Sequence, residues 1–111
     1  MTEEQGKRVG LNESIFREVN EQIESLNRDL DGKVRTMTAV CECADGDCTD
    51  RLAISVAEYE KVRSDPRRFI VVPGHELPDF EAIVERGDGY DVVEKAEGAA
   101  AELAEETDPR S

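Results

Sequence analysis

The residues of this chain that could do chemistry are its three cysteines and its one histidine. The cysteines form the segment Cys41-x-Cys43-x4-Cys48, and His75 stands well downstream, directly after a Pro-Gly turn signal. Thiolate sulfur and imidazole nitrogen are ligands that zinc prefers, and a structural zinc site takes four of them in a tetrahedron. The sequence therefore predicts a structural Cys3His zinc site made of Cys41, Cys43, Cys48 and His75.

Two predicted strands bring these cysteines together. Residues 33–42 and 51–56 are rich in β-branched side chains, and the Asp-Gly segment between them has the composition of a turn. Side chains alternate along a strand, so Cys41 and Cys43 share one face, and the turn returns Cys48 toward them. Three cysteines in a polar Glu/Asp/Gly loop do not resemble buried core cysteines. We expect the ion to pin this hairpin to the turn that carries His75.

The N-terminal part of the chain has the pattern of an amphipathic helix. Asn12 suits the N-cap position, and Asp31-Gly32 ends the apolar repeat. Such a stripe either binds a partner or faces the core. Stripes of this kind usually face a core, so we expect core packing for Phe16, Val19, Ile23 and Leu26.

Four further elements follow the hairpin. Ser55-x-x-Glu58 is a capping box that predicts a short helix to about Ser64. The apolar run 69–72 predicts a strand, Pro78 to Arg86 predicts a helix that begins near a proline, and residues 90–94 predict a last strand.

Together these elements predict a small single α+β domain over residues 11–95. It has an N-terminal amphipathic helix, a mainly antiparallel sheet of three or four strands, two short helices and a zinc-stabilised hairpin. Residues 1–10 are expected to be disordered, and residues 96–111 form an acidic tail rich in Ala and Glu. Because only 5% of the residues are aromatic and none is Trp, metal binding is expected to contribute folding free energy to a small core.

The charge of the chain bears on its partners. The formal net charge is −13, which repels phosphate and argues against nucleic-acid binding. Arg63, Arg67 and Arg68 form a basic cluster that either docks an acidic or phosphorylated partner or pairs with the chain's own acids, and we expect the second. No apolar run or signal segment points to a membrane or to export. The expected protein is cytoplasmic, with a protein partner and an oligomeric state that the sequence leaves open.

Six stretches carry a resemblance to known proteins, and they are Phe16–Asn20, Cys41–Cys48, Glu58–Arg63, Asp65–Phe69, Pro73–Glu76 and Tyr90–Lys95. With them the chain resembles a family of small uncharacterised bacterial proteins that have a CECxxxxC segment and a downstream PGHE turn. This resemblance spans most of residues 12–95 and implies no activity.

The cysteine segment by itself is similar to two others. One follows SET-type methyltransferase domains, whose catalytic body is missing here. The other belongs to CDGSH-type iron–sulfur proteins, in which the histidine closely follows the third cysteine.

These observations predict a non-catalytic, zinc-binding regulatory or adaptor module that binds another protein. The alternative is a switch in which oxidation of the thiolates, or a change in metal supply, removes zinc and loosens the fold. An iron–sulfur protein and an enzyme rank below both. The sequence has no Gly-rich phosphate loop and no nucleophile with a recognisable base other than His75.

Overall fold

The structure, a computed structural model, describes residues 3–31, 36–43, 45 and 47–109. Within them, helices and strands alternate in a small α+β arrangement, which confirms the predicted fold class. The strands divide into two antiparallel sheets, one with the order β1-β2 and one with the order β3-β5-β4, instead of forming one sheet. The elements are α1 (Glu3–Asp31), β1 (Thr36–Val40), β2 (Arg51–Ser55), α2 (Val56–Val62), β3 (Arg68–Val71), β4 (Glu81–Arg86), β5 (Asp91–Lys95) and α3 (Ala99–Glu106).

The first sheet is the predicted hairpin. β1 and β2 pair from Thr36 with Ser55 to Val40 with Arg51. The hydrogen bond from Cys41 N to Asp50 O, 3.1 Å long, continues the pairing one residue beyond the strands. The register of the hairpin therefore fixes the position of the segment that carries the cysteines.

α2 begins where the sequence predicts it. The Ser55 hydroxyl accepts a hydrogen bond of 3.1 Å from the backbone N–H of Glu58, which is the capping interaction predicted from the Ser-x-x-Glu pattern. The helix buries Val56, Tyr59 and Val62.

The second sheet corrects one prediction. Residues 78–86 do not form a helix, because Glu81–Arg86 is the edge strand β4 and pairs with β5 through a bulge near Ile83. The chain turns before it, where Phe80 N donates to Leu77 O at 2.9 Å. Short apolar segments fit both helix and strand periods, and here the pairing with β5 decides between them.

β3 connects the two sheets and divides the core. Glu42 N donates to Ile70 O at 2.8 Å, so the segment after β1 lies along the free edge of β3. Ile70 packs with Met37, Ala39 and Tyr59 in one apolar cluster. Phe69 and Val71, on the other face of β3, belong to a second cluster, whose remaining members are Cys41, Cys43, Val93 and Ala104.

Helical structure extends farther toward both ends of the described chain than the sequence predicts. α1 begins at Glu3 and not near Asn12, and residues 99–106 of the expected acidic tail form α3. Small residues bring these helices together. A Cβ at Gly10 would lie 2.9 Å from Leu103 Cβ, and one at Gly6 would lie 3.2 Å from Ala99 Cβ. The two helices stabilise each other by this close packing. The sequence of either segment alone does not indicate it.

α1 buries mainly polar side chains, and only part of the expected apolar stripe lies against the core. Val19 and Leu26 are exposed, whereas Ile23 is partly buried against the first apolar cluster. The buried side chains of α1 include the apolar Val9 and the polar Glu13, Arg17, Asn20 and Glu24.

Tertiary hydrogen bonds pair Arg17 and Glu13 of this helix with other parts of the fold. Arg17 donates to Pro66 O at 2.7 Å and to Ala104 O at 2.6 Å, and its guanidinium lies 4.6 Å from the centre of the Phe69 ring. Lys95 lies between the carboxylates of Glu13 and Glu81. Buried polar groups are tolerated when they are paired in this way.

No helix among the described residues combines the length and the apolar character needed to cross a bilayer.

Candidate metal centre

The structure brings the four predicted ligand residues together. The Sγ atoms of Cys41, Cys43 and Cys48 and a ring nitrogen of His75 all lie within 4.8 Å of one another. His75 Nδ1 is 3.6 Å from Cys41 Sγ and 3.7 Å from Cys48 Sγ. The four side chains form a group that could hold one metal ion.

β1 positions the first two sulfurs. Met37, Ala39, Cys41 and Cys43 are all buried at alternate positions, so the alternation of the strand continues through both cysteines. This agrees with the prediction that they share a face.

A tight loop positions the third sulfur. Cys48 N donates to Asp45 O at 3.0 Å, and Asp47 N donates to the Asp45 carboxylate at 2.9 Å. Asp45 therefore caps the turn that returns Cys48 to the other two sulfurs.

The turn after β3 positions the imidazole. His75 N donates to Val72 O at 2.9 Å, and Gly74 between them has a φ of 94°, a conformation that favours glycine. The Pro-Gly signal of the sequence therefore becomes a turn that presents His75 to the hairpin.

Glu42 anchors the cysteine segment to the rest of the fold. It was not predicted as a site residue. Its side chain is fully buried on the opposite face from the sulfurs. Its carboxylate accepts hydrogen bonds from Asn20 Nδ2 at 2.8 Å, Tyr59 OH at 3.1 Å and Ile70 N at 3.0 Å. Glu42 therefore links the cysteine segment to α1, α2 and β3. No local sequence motif marks this role, because its partners come from three distant elements.

Without an ion, the electrostatics of the site favour neutral thiols. Burial raises the pKa of Cys41, and the neighbouring thiols of Cys43 and Cys48 raise it further. Burial also raises the pKa of Cys43. One contact acts in the opposite direction, since Val72 N–H donates to Cys41 Sγ at 3.2 Å. Three crowded thiolates need positive charge to coexist, and a divalent ion supplies it.

The far side of the imidazole ring has its own partner. His75 Nε2 lies 3.3 Å from Asp50 Oδ2, while Nδ1 faces the sulfurs. Metal-bound histidines commonly direct their second nitrogen to a carboxylate, which orients the ring and selects its tautomer. Asp50 was not predicted as a site residue, although it directly precedes β2 and lies two residues after Cys48 in the sequence.

One side of the group opens to solvent. A recess of about 240 Å³ is lined by Cys43, Asp45, Gly74, His75 and Leu77. Cys48 is partly exposed, whereas Cys41 and Cys43 are buried.

The basic cluster does not join this site. Arg63 pairs with Glu21 at 3.0 Å and with Asp108. Arg67 pairs with Glu105 at 2.7 Å, and Arg68 with Glu94 at 3.1 Å. The expectation that these arginines pair with the chain's own acids is confirmed.

Comparisons with known proteins found no relative of this chain. Neither a protein-family model, nor a curated protein, nor a solved structure matches the chain.

Proposed function

We propose that this chain is a small zinc-binding domain with a structural Cys3His site formed by Cys41, Cys43, Cys48 and His75. The observation that carries the proposal is the spacing of the ligand atoms. Sulfur at about 2.3 Å and nitrogen at about 2.0–2.1 Å from zinc give a tetrahedron with N···S edges of about 3.6 Å. The two distances from His75 Nδ1, 3.6 and 3.7 Å, agree with those edges.

The compact spacing favours one ion over an iron–sulfur cluster. In a two-iron cluster the four protein ligands are divided between two metal atoms, so ligands of different irons lie farther apart than those of one ion. Here no two ligand atoms are separated by more than 4.8 Å. Zinc is the metal that such a sulfur-rich tetrahedral set prefers.

The ligand count supports a structural role. Catalytic zinc sites keep one position open for water or substrate, whereas structural sites fill all four positions with protein atoms. Four protein ligands from the hairpin and the His75 turn would close the coordination shell. The ion would then crosslink two segments that are distant in the sequence, and its binding energy would contribute to folding.

We further propose that the domain is a non-catalytic regulatory or adaptor module that binds another protein in the cytoplasm. Support comes from the closed ligand set, which leaves the ion no substrate position, and from the net charge of −13, which disfavours nucleic acid as a partner.

A redox- or metal-responsive switch is the second candidate, and the exposure of Cys48 favours it. Cys48 borders solvent while its sulfur lies close to two other sulfurs. Peroxide could oxidise two of these thiolates to a disulfide, with reduction of the peroxide to water and release of the zinc.

Metal analysis of the freshly purified full chain tests the zinc proposal. We expect one zinc per chain, a colourless protein, and tetrahedral thiolate bands in the spectrum after cobalt replaces zinc. A brown protein with iron and sulfide would establish a cluster instead, and a folded metal-free protein would refute both. Reversible zinc loss at mild peroxide concentration, restored by thiol, would select the switch over the static module.

A further inference from the structure

The outward face of α1 carries a stripe of apolar side chains that are each at least 40% exposed. Its members are Leu11, Ile15, Val19 and Leu26, with exposed fractions of 51%, 61%, 40% and 68%. These four residues expose about 400 Å² per chain, which is the size of the largest patch on a typical monomer. We call this set the α1 stripe.

The spacing of the α1 stripe fits another helix. Ile15, Val19 and Leu26, with Gln22 between the last two, follow the alternating steps of four and three residues that form a helix-pairing seam. Leu11 extends the seam by one turn. The stripe runs for about 22 Å along a single straight element, which suits a long helix laid along it better than a compact surface.

We infer that the α1 stripe is covered by α1 of a second copy of this chain, in an antiparallel homodimer. The area supports a self-association. Two facing stripes would bury up to about 800 Å² from these four residues, which is the size of a small, reversible interface and fits a concentration-dependent dimer. A two-fold axis near Val19 would place Leu11 of each copy against Leu26 of the other, so each end of the stripe meets an apolar end.

Charge selects the antiparallel arrangement. Arg8 lies one heptad before Ile15, on the line of the α1 stripe, so a parallel pair would place it directly against its own copy. The acidic side chains of α3 lie outside the paired surface. α3, which carries Glu102, Glu105 and Glu106, packs against Gly6 and Gly10 on the buried side of α1, away from the stripe.

The antiparallel register has one unfavourable contact, and it provides a test. Glu18 is exposed and lies beside Val19, so the two-fold axis would bring the two copies of Glu18 close to each other. Like charges in such positions weaken association modestly. Removing this charge should therefore tighten the dimer, while a parallel pair would separate the two Glu18 side chains across the full interface.

Sedimentation equilibrium of the full-length, metal-loaded chain over a concentration series tests the inference. We expect a monomer–dimer equilibrium that Val19→Glu weakens at least about thirtyfold, because a central contact is lost twice. Val84→Glu is the matched control. Val84 is 42% exposed on β4, close to the 40% of Val19, and its change should leave the dimer constant within about twofold. Circular dichroism and zinc content establish that each variant is folded.

A second variant does not depend on a disruptive substitution. Glu18→Gln should tighten the dimer about two- to fivefold, with the gain reduced in high salt. A wild-type chain that stays monomeric, a dimer that Val19→Glu leaves intact, or a dimer that Glu18→Gln weakens would each overturn the inference. A monomer that instead binds a basic amphipathic peptide along α1 would assign the stripe to a different protein and also refute self-association.

Discussion

Asp50 Oδ2 lies 3.3 Å from Nε2 of His75, on the nitrogen of the ring that does not face Cys41 and Cys48. This relationship ties the strand β2 to the turn after β3 through a single imidazole. An Nε2–H that points to the carboxylate leaves the lone pair of Nδ1 directed at the sulfurs, which is the tautomer that a metal ligand needs.

Substitution of this carboxylate should weaken metal binding without removing a ligand. We expect Asp50→Asn to lower zinc affinity about tenfold, at the lower end of the effect of such supporting residues because Asp50 is half exposed. Competition with a chromophoric chelator measures the change. Asp47→Asn makes the same charge change in the same loop, away from His75, and should leave the affinity unaltered. Equal losses in both variants would show that only the general negative charge of the loop matters.

Removal of a ligand should destabilise the whole domain. Cys48→Ser should lower the free energy of unfolding by more than about 2 kcal/mol, because zinc-binding energy contributes to folding. Thermal unfolding with and without a chelator measures it, and the chelator should have little further effect on the variant. His75→Ala should act likewise, while His75→Cys supplies another soft ligand and should retain zinc. An unchanged zinc affinity in His75→Ala would exclude His75 as the fourth ligand.

The buried Glu42 should stabilise the fold around the cysteine segment. All of its described partners donate hydrogen bonds to it, from Asn20, Tyr59 and Ile70. Glu42→Gln would turn an amide N–H₂ toward these donors, so we expect a loss of stability of about 2 kcal/mol. Tyr59→Phe removes one donor only and should cost about 1 kcal/mol. Denaturant unfolding of the zinc-loaded proteins checks both, and a stability of Glu42→Gln equal to that of the wild type would contradict the anchoring role.

Glu13 should make stability depend on pH. Burial raises the pKa of this carboxyl from 4.5 to about 7 in spite of its pairing with Lys95. The folded state therefore holds more protons than the unfolded state between these values, so the free energy of unfolding falls as pH rises from 4.5 to 7. Glu13→Gln should be more stable than the wild type above pH 7, by up to about 3 kcal/mol, and the advantage should vanish toward pH 4.5.

The difference between the two unfolding curves isolates Glu13, because the zinc ligands take up protons in both proteins. Glu4→Gln makes the same charge change at an exposed position of α1 and should show no such window. A constant difference between Glu13→Gln and wild type at all pH values would mean that Glu13 is ionised throughout.

α3 should be part of the stable domain, although its sequence has the composition of an acidic tail. Ala104 is 1% exposed and packs in the cluster that contains Cys41 and Cys43. Ala104→Glu should therefore cost more than about 2 kcal/mol, because a long side chain must be accommodated where only a methyl group is packed. The nearby exposed Glu102→Ala should be close to neutral. Thermal unfolding of both variants is the measurement. An Ala104→Glu variant as stable as the wild type would show that this segment is a solvated tail.

The ligand residues could be predicted because their chemistry and their local spacing both belong to the sequence. Cysteine and histidine identities define the ligand set, and the two-residue alternation of a strand places Cys41 and Cys43 on one face. The capping box at Ser55 and the hairpin register also depend on neighbours in the chain. Glu42 and Asp50 could not be predicted in this way, because each acquires its role only from partners that folding brings in from other elements.

Local patterns were insufficient where an element takes its conformation from a partner. Residues 81–86 fit a helical period, yet pairing with β5 makes them a strand. The apolar periodicity of α1 indicates a helix correctly but not which face is buried. That choice depends on Arg17 reaching the carbonyls of Pro66 and Ala104, and on Glu13 reaching Lys95.

The sequence by itself determined the ligand types, the hairpin that carries three of them and the turn that presents the fourth, since these follow from side-chain chemistry and short-range geometry. Only the tertiary structure decided that His75 approaches the sulfurs with Nδ1, that a polar helix face enters the core, and that the chain ends form helices. Those outcomes depend on hydrogen bonds and close contacts between residues far apart in the chain, such as Gly10 and Leu103, whose benefit exists only once both partners are in place.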